Sequence, residues 1–225
     1  MRYMWIPHTD TVVVVTCDPI DESHAAAGKL PPGPTTSETE ASQPLRDLLL
    51  SASRAAAQGK LAAGGGGKGG GKGGAPSEGV RVYTAADASR MNFAQLRDAL
   101  LALAPLNREH VVAVNRAEAA YWKNAQGWRI DWSDKILGFE CGGQQWVSEV
   151  AMPCGTLSTP DLRDLAYMDD LLHVIEHESD LPTPAPIEQR WTRRSRARMS
   201  PAHSLGDDDL HTWVGIIMYL PTQAR

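Results

Sequence analysis

The glycine tract between positions 59 and 74 constrains this chain more than any other feature. It holds ten of the twenty glycines, and Leu61 is its one large apolar side chain. Ordering such a stretch costs backbone entropy and buries almost nothing in return, so residues 64–74 are predicted to form a disordered linker. The breaker cluster Pro31-Pro32-Gly33-Pro34 lies upstream of it. Setting aside the polar region of about 21–80 leaves roughly 165 residues to fold. A hydrophobic content of 42% supplies a core for that remainder.

Charge and cysteine usage narrow the class. The net charge of -5 argues against a nucleic-acid-binding protein, because phosphate recognition needs a basic excess. No run of eighteen apolar residues is present, which excludes a transmembrane helix of ordinary length. Three cysteines, Cys17, Cys141 and Cys154, are too few for a disulfide framework and read as free thiols, or as one pair plus one thiol. The opening residues form neither a signal nor a transit peptide. They run straight into Thr11-Val12-Val13-Val14-Val15-Thr16, a β-branched run of buried-strand type, and a strand so close to Met1 suggests a piece of something longer.

Helices and strands then mix without regular alternation. Leu45, Leu48, Leu49, Ala52 and Ala56 mark a helix within 38–58. Asn92 and Gln95 have the spacing of a reciprocal helix cap, followed by Leu96, Leu100 and Leu103 and stopped by Pro105. A second helix is expected over 107–125, with Val111, Val114, Ala117 and Tyr121 on one face. Residues 128–140 suggest strands around a Ser133-Asp134 turn, and 144–152 another strand. Thr159-Pro160 has the form of a helix start, with Leu162, Leu165, Met168, Leu172 and Ile175 as its apolar stripe. Residues 187–192 and 213–220 read as strands. The fold class is therefore α+β with a largely antiparallel sheet flanked by helices.

Five clusters could carry chemistry. In Glu188-Gln189-Arg190, positions two apart on a strand share a face, so Glu188 and Arg190 would stand side by side. An acceptor beside a fixed cation can position a hydroxyl and stabilise developing negative charge. Spacing alone favours a plainer outcome, a same-strand surface ion pair worth about 0–1 kcal/mol. His173-Val174-Ile175-Glu176-His177 matches a short zinc pattern, but it lacks a strong third ligand and histidines also suit a helix C-terminus. Arg190, Arg193, Arg194, Arg196 and Arg198 could bind an anion, although charge on a solvated strand edge is the commoner reason for such a run. Cys141 beside Gly142-Gly143 could be a reactive thiol or an inert one. Asp207-Asp208-Asp209 with Glu176, Glu178 and Asp180 would suit a basic protein partner, or simply be solvated loops.

Longer blocks carry a resemblance. Residues 136–149 (ILGFECGGQQWVSE), 184–192 (PAPIEQRWT) and 213–221 (WVGIIMYLP) resemble plant-type L-galactono-1,4-lactone dehydrogenases. Tyr3-Met4-Trp5-Ile6-Pro7 and residues 10–17 are similar to the same family. The likeness covers almost the whole chain outside about 21–88. That family belongs to the vanillyl-alcohol-oxidase-type flavoproteins, together with the gulonolactone and arabinonolactone oxidases. Its members combine an FAD-binding domain with a cap domain that lines the substrate pocket.

The resemblance implies that this chain is an incomplete cap domain. Residues 1–20 would supply its first strand, 21–88 a Pro/Gly/Lys-rich insertion with one helix, and 89–225 its main part. The FAD-binding domain and a later His-Trp-x-Lys segment would be absent, so the chain alone is expected to bind FAD poorly and to turn over nothing. The implied reaction is oxidation of L-galactono-1,4-lactone to L-ascorbate, with FAD held mainly by the missing domain and cytochrome c as electron acceptor. Oxygen would be the acceptor in a sister D-arabinono- or L-gulono-1,4-lactone oxidase. A non-catalytic fragment tied to assembly intermediates of respiratory complex I is the third alternative. The implied location is the mitochondrial inner membrane, facing the intermembrane space. The family's Glu-x-Arg pair maps onto Glu188 and Arg190 as catalytic residues, with Arg190 on the flavin ring side. Its redox-sensitive cysteine maps onto Cys141, near the substrate pocket. No metal is implied.

Overall fold

A computed structural model describes residues 2–21, 36–61, 80–125, 127, 128, 130, 132, 145–178 and 180–219. It is α+β, with one five-stranded antiparallel sheet and six helices among those residues. The strands are β1 (Arg2–Ile6), β2 (Thr11–Val15), β3 (Gln145–Thr156), β4 (Ile187–Arg193) and β5 (Asp209–Tyr219), in the spatial order β2-β1-β4-β5-β3. The helices are α1 (Glu38–Ala41), α2 (Gln43–Ala57), α3 (Ala85–Ser89), α4 (Phe93–Leu103), α5 (Arg108–Asn124) and α6 (Arg163–His177).

Helices α1 to α5 gather around one apolar core. Leu45 and Leu49 of α2, Leu96 and Leu100 of α4, and Val111 and Val114 of α5 are fully buried in it. The helix expected within 38–58 is split at Ser42 and packs directly on the helices from 93–124. The cap foreseen at Asn92 is present: its side chain accepts from Gln95 N, and the Gln95 side chain accepts from Asn92 N. Asn107 caps α5 from one side only, accepting from His110 N. The buried face of α5 includes Val111, Val114, Ala117 and Tyr121, as its spacing predicts.

The sheet has its own smaller core. Met168 and Ile175 of α6 pack on Ile187 of β4 and Val214 of β5. Polar links join this layer to the helical one. Asn115, buried in α5, donates to the carbonyls of Pro7 (3.2 Å) and Thr183 (3.0 Å). Arg108 donates to the Glu176 carbonyl at 2.7 Å, at the C-terminal end of α6.

The start of α6 differs from the sequence expectation. Thr159-Pro160 does not open the helix, which begins at Arg163 without a side-chain cap. Residues 155–161 form a turn folded back on β3, with Gly155 bridged to Pro160 and Asp161 N donating to the Cys154 carbonyl. Gly155 has φ +84°, and a β-carbon there would collide with the Thr159 carbonyl, so the turn takes the residues that would have made the first helical turn. The apolar stripe is also shifted. Leu162 and Leu165 are exposed, whereas Asp164, Met168 and Ile175 are buried. A carboxylate on the buried face hides the true phase of the helix from a hydrophobic pattern.

The strands foreseen around Ser133-Asp134 and the linker at 64–74 lie outside the described residues. The other four strand expectations hold where described, with β3 and β5 longer than foreseen; β2, however, is an edge strand with Val14 51% exposed and not the buried strand that its β-branched run suggests.

Placing Leu100 in the centre of the helical core has a measurable consequence. Leu100→Ala is expected to cost about 2–5 kcal/mol, whereas Leu106→Ala, at a residue 61% exposed, should stay within about 0.5 kcal/mol. Denaturant unfolding of the two variants checks this, and similar losses for both would contradict the assigned core.

Candidate active site

The geometry of the site starts with a residue that is not in it. Gln189 is completely buried on the α6 side of β4. Its Oε1 accepts from Trp5 Nε1 at 3.0 Å, and its Nε2 donates to Asp164 Oδ2 (3.3 Å) and Thr212 Oγ1 (3.4 Å). Asp164 also accepts from Trp191 Nε1 at 2.7 Å. Burying a carboxamide without partners would be costly, so this network fixes which face of β4 points at α6. Strand alternation then sends Glu188 and Arg190 together to the opposite face.

The register shows what meets them there. Glu188 lies opposite Met4 of β1 and Gly215 of β5, and Gly215 in turn lies opposite Glu149 of β3. Arg190 lies opposite Arg2 and Trp213. Glu188, Gly215 and Glu149 therefore form one row across three strands, with Arg190 and Trp213 in the next row.

The ion pair expected within β4 does not form. Arg190 reaches past Gly215 and donates from Nη2 to Glu149 Oε1 at 2.7 Å. Its guanidinium carbon sits 5.5 Å from the centre of the Trp213 ring, in cation–π range. The Trp213 ring is held in turn by a 2.8 Å hydrogen bond from its Nε1 to Thr192 Oγ1. Glu188 is left with no hydrogen bond to its carboxylate among the described residues, although only 8% of the residue is exposed. Burial pushes its carboxyl above the usual range; nearby Arg2 and Arg190 pull it back and Glu149 adds to the rise. Arg190 Nε is likewise buried and without a partner among the described residues.

Two unsatisfied polar groups of opposite character on one open face fit a ligand that carries both donor hydroxyls and acceptor oxygens. They also fit the electron-rich edge of a flavin ring, with Arg190 as the group that would meet it. Two concavities, of about 330 Å³ and 150 Å³, lie elsewhere. The larger is lined by His8, Thr11, Arg116 and Lys123, and the smaller by Cys154, Asp164 and Trp191. Neither contains Glu188 or Arg190, which lie on a sheet face.

The remaining candidates separate. Cys141 lies outside the described residues. Cys17 is exposed; Cys154 is buried, its thiol pushed up to about 11 chiefly by burial, which makes it a poor nucleophile at neutral pH. The rings of His173 and His177 stack at 4.0 Å on the surface of α6, and no group of three metal-ligating side chains occurs among the described residues. The arginine run does not converge: Arg194 pairs with Asp207, and Arg196 lies 3.9 Å from the same carboxylate. Asp208 accepts from Ser158 and Asp209 from Gly206, so these carboxylates fasten loops. Glu149, Gly215, Trp213 and Arg2 were not singled out from the sequence. Each joins the site through cross-strand register, and single-strand spacing gives no signal for that.

Comparison with known proteins gives the same direction. No family model matches the chain. It is 47% identical over 222 residues to the mitochondrial L-galactono-1,4-lactone dehydrogenase of Arabidopsis thaliana, covering 99% of this chain and 33% of that protein. It is 46% identical over 228 residues to the mitochondrial L-galactono-1,4-lactone dehydrogenase 2 of Oryza sativa subsp. japonica, covering 99% and 34%. The chain is homologous to plant L-galactono-1,4-lactone dehydrogenases. A Brassica oleracea relative, also mitochondrial by name, is 46% identical over 234 residues. The chain spans about a third of the length of these relatives. No helix among the described residues is long and apolar enough to cross a membrane.

Glu188 also sets a pH-dependent stability term. Its folded pKa is raised, so its contribution to stability is fully present below the unfolded carboxyl value of about 4 and is lost as pH rises through the folded value. Glu188→Gln is therefore expected to melt at or above the parent temperature at pH 7, and to lose that advantage near pH 4. A clear fall in Tm at pH 7 would show that the carboxylate is stabilising and the assigned direction wrong.

Proposed function

We propose that this chain forms the substrate side of a flavin-dependent aldonolactone dehydrogenase that converts L-galactono-1,4-lactone to L-ascorbate. The observation that supports this most directly is a largely buried carboxylate, with no hydrogen bond among the described residues, beside a guanidinium held by Glu149 on the same sheet face, in a chain homologous to enzymes of that name. The FAD-binding region would lie in the part of the relatives that this chain does not match. When bound, FAD supplies the two-electron acceptor for the lactone C2–H.

Glu188 accepts hydrogen bonds from the lactone hydroxyls and orients C2. Its burial suits that task, because a carboxylate short of partners gains most from a ligand hydroxyl. As C2 gives up a hydride and its hydroxyl gives up a proton to solvent, Arg190 would stabilise the negative charge left on the reduced flavin and on the enolate-like product. Trp213 backs the guanidinium on one side through a cation–π contact. Cys141 is assigned to the neighbourhood of the substrate as a redox-sensitive thiol and not as a nucleophile.

The relatives' names place them in mitochondria, and this chain is assigned to the same compartment, at the inner membrane facing the intermembrane space. Cytochrome c is the proposed electron acceptor, and complex I assembly intermediates are a possible second set of partners in that reading.

The test is kinetic, in a chimera in which this chain replaces the matching third of the Arabidopsis thaliana enzyme, with flavin content measured to confirm loading. Glu188→Gln and Arg190→Ala are each expected to lower kcat/KM for L-galactono-1,4-lactone at least about tenfold, or about 1.4 kcal/mol in transition-state stabilisation. Values within about threefold of the parent would remove both residues from the mechanism. The electron acceptor is tested on the intact enzyme that carries this chain, where cytochrome c should be reduced faster than oxygen is consumed; the reverse order would identify an oxidase.

A further inference from the structure

Glu149 is a charged residue of the site without an assigned part. It stands at the end of the Glu188–Gly215–Glu149 row, and it is the one hydrogen-bond partner of the Arg190 guanidinium among the described residues. Trp213 supports the same guanidinium from one side. A side chain as long as arginine, 42% exposed, would otherwise sample many rotamers. Glu149 restricts it to one.

Gly215 makes that reach possible. It is not among the described glycines with positive φ, so the backbone conformation does not demand glycine there. A β-carbon at 215 would come to 3.8 Å from Glu149 Oε1 and 4.0 Å from Glu188 Cβ, and anything longer would fill the space between the two carboxylates. Glycine in a strand interior weakens the strand, so its presence here is explained by the room it leaves. That room is a trough with a backbone floor, a carboxylate at each end and a guanidinium along one side.

We propose that Glu149 is the positioning residue of this site: it holds Arg190 across the Gly215 trough, so that the free guanidinium edge and the Glu188 carboxylate face a polyhydroxylated ring together. The proposal rests on the aldonolactone reading for the identity of that ring. The restraint on Arg190 does not depend on it. Glu149 acts through Arg190 and need not touch the substrate.

The first measurement needs no turnover. In side-chain nitrogen NMR of this chain, Arg190 is expected to give separate Nη signals, the mark of hindered rotation about its Nε–Cζ bond. Glu149→Gln should merge them. Glu149→Asp keeps the charge one methylene back and should give intermediate behaviour; it carries the same test if Glu149→Gln does not fold. Separate Nη signals that persist in both variants would overturn the proposal.

The second is a double-mutant cycle in the flavin-loaded chimera. Glu149→Gln is expected to raise KM more than it lowers kcat, and Glu149→Gln with Arg190→Ala should be within about twofold of Arg190→Ala alone. Losses that multiply would show that Glu149 does not act through Arg190, and would also overturn the proposal. If Arg190→Ala leaves kcat/KM unchanged while the Nη signals still merge in Glu149→Gln, the restraint stands and the aldonolactone reading is the part that fails.

Discussion

The site depends on the burial of Gln189. A carboxamide with no exposure, bonded to Trp5, Asp164 and Thr212, ties β4 to its neighbour β1, its neighbour β5 and the helix beneath. Sliding β4 by one residue would strand that carboxamide on the open face and drive Glu188 into the apolar contact with Met168 and Ile175. Both changes are unfavourable, and both oppose the same slip. The residue between the two functional ones thus decides where they point.

The opposite face shows the reverse economy. Among the described residues, Glu188 is largely buried with no hydrogen bond to its carboxylate, Arg190 Nε is buried without one, and a glycine occupies a central strand. None of these helps the sheet to fold. Such local sacrifice, set against a well-satisfied network one residue away, is the pattern expected where a fold supports chemistry.

Much of the scaffold was legible from local sequence. Asn92 with Gln95 announces α4, the Val111 to Tyr121 spacing announces α5, and the strands at 187 and 213 follow from β-branched and aromatic runs. The start of α6 was not, because Thr159-Pro160 satisfies the rules for a helix cap and for a tight turn equally well, and Gly155 decides for the turn. The site was half legible. Period two puts Glu188 and Arg190 on one face from sequence alone, but it suggests that they pair with each other. Arg190 instead pairs with a residue 41 positions away, on a strand that is not even adjacent. Only the lateral order of the strands reveals Glu149, and the order β4-β5-β3 is a property of the whole sheet. The assignment of Glu188 and Arg190 to a lactone came from long matching blocks and not from their spacing.

The most direct test of this arrangement is a side-chain NOE experiment on the folded chain, reading which protons lie on which face of β4. Cross-peaks from the Trp5 indole Nε1–H to the Gln189 side chain, and from the Trp213 ring to Arg190, are the predicted result. Cross-peaks from Gln189 to the Trp213 ring, or from Glu188 to Met168, would place the strand one residue out of register and contradict the account.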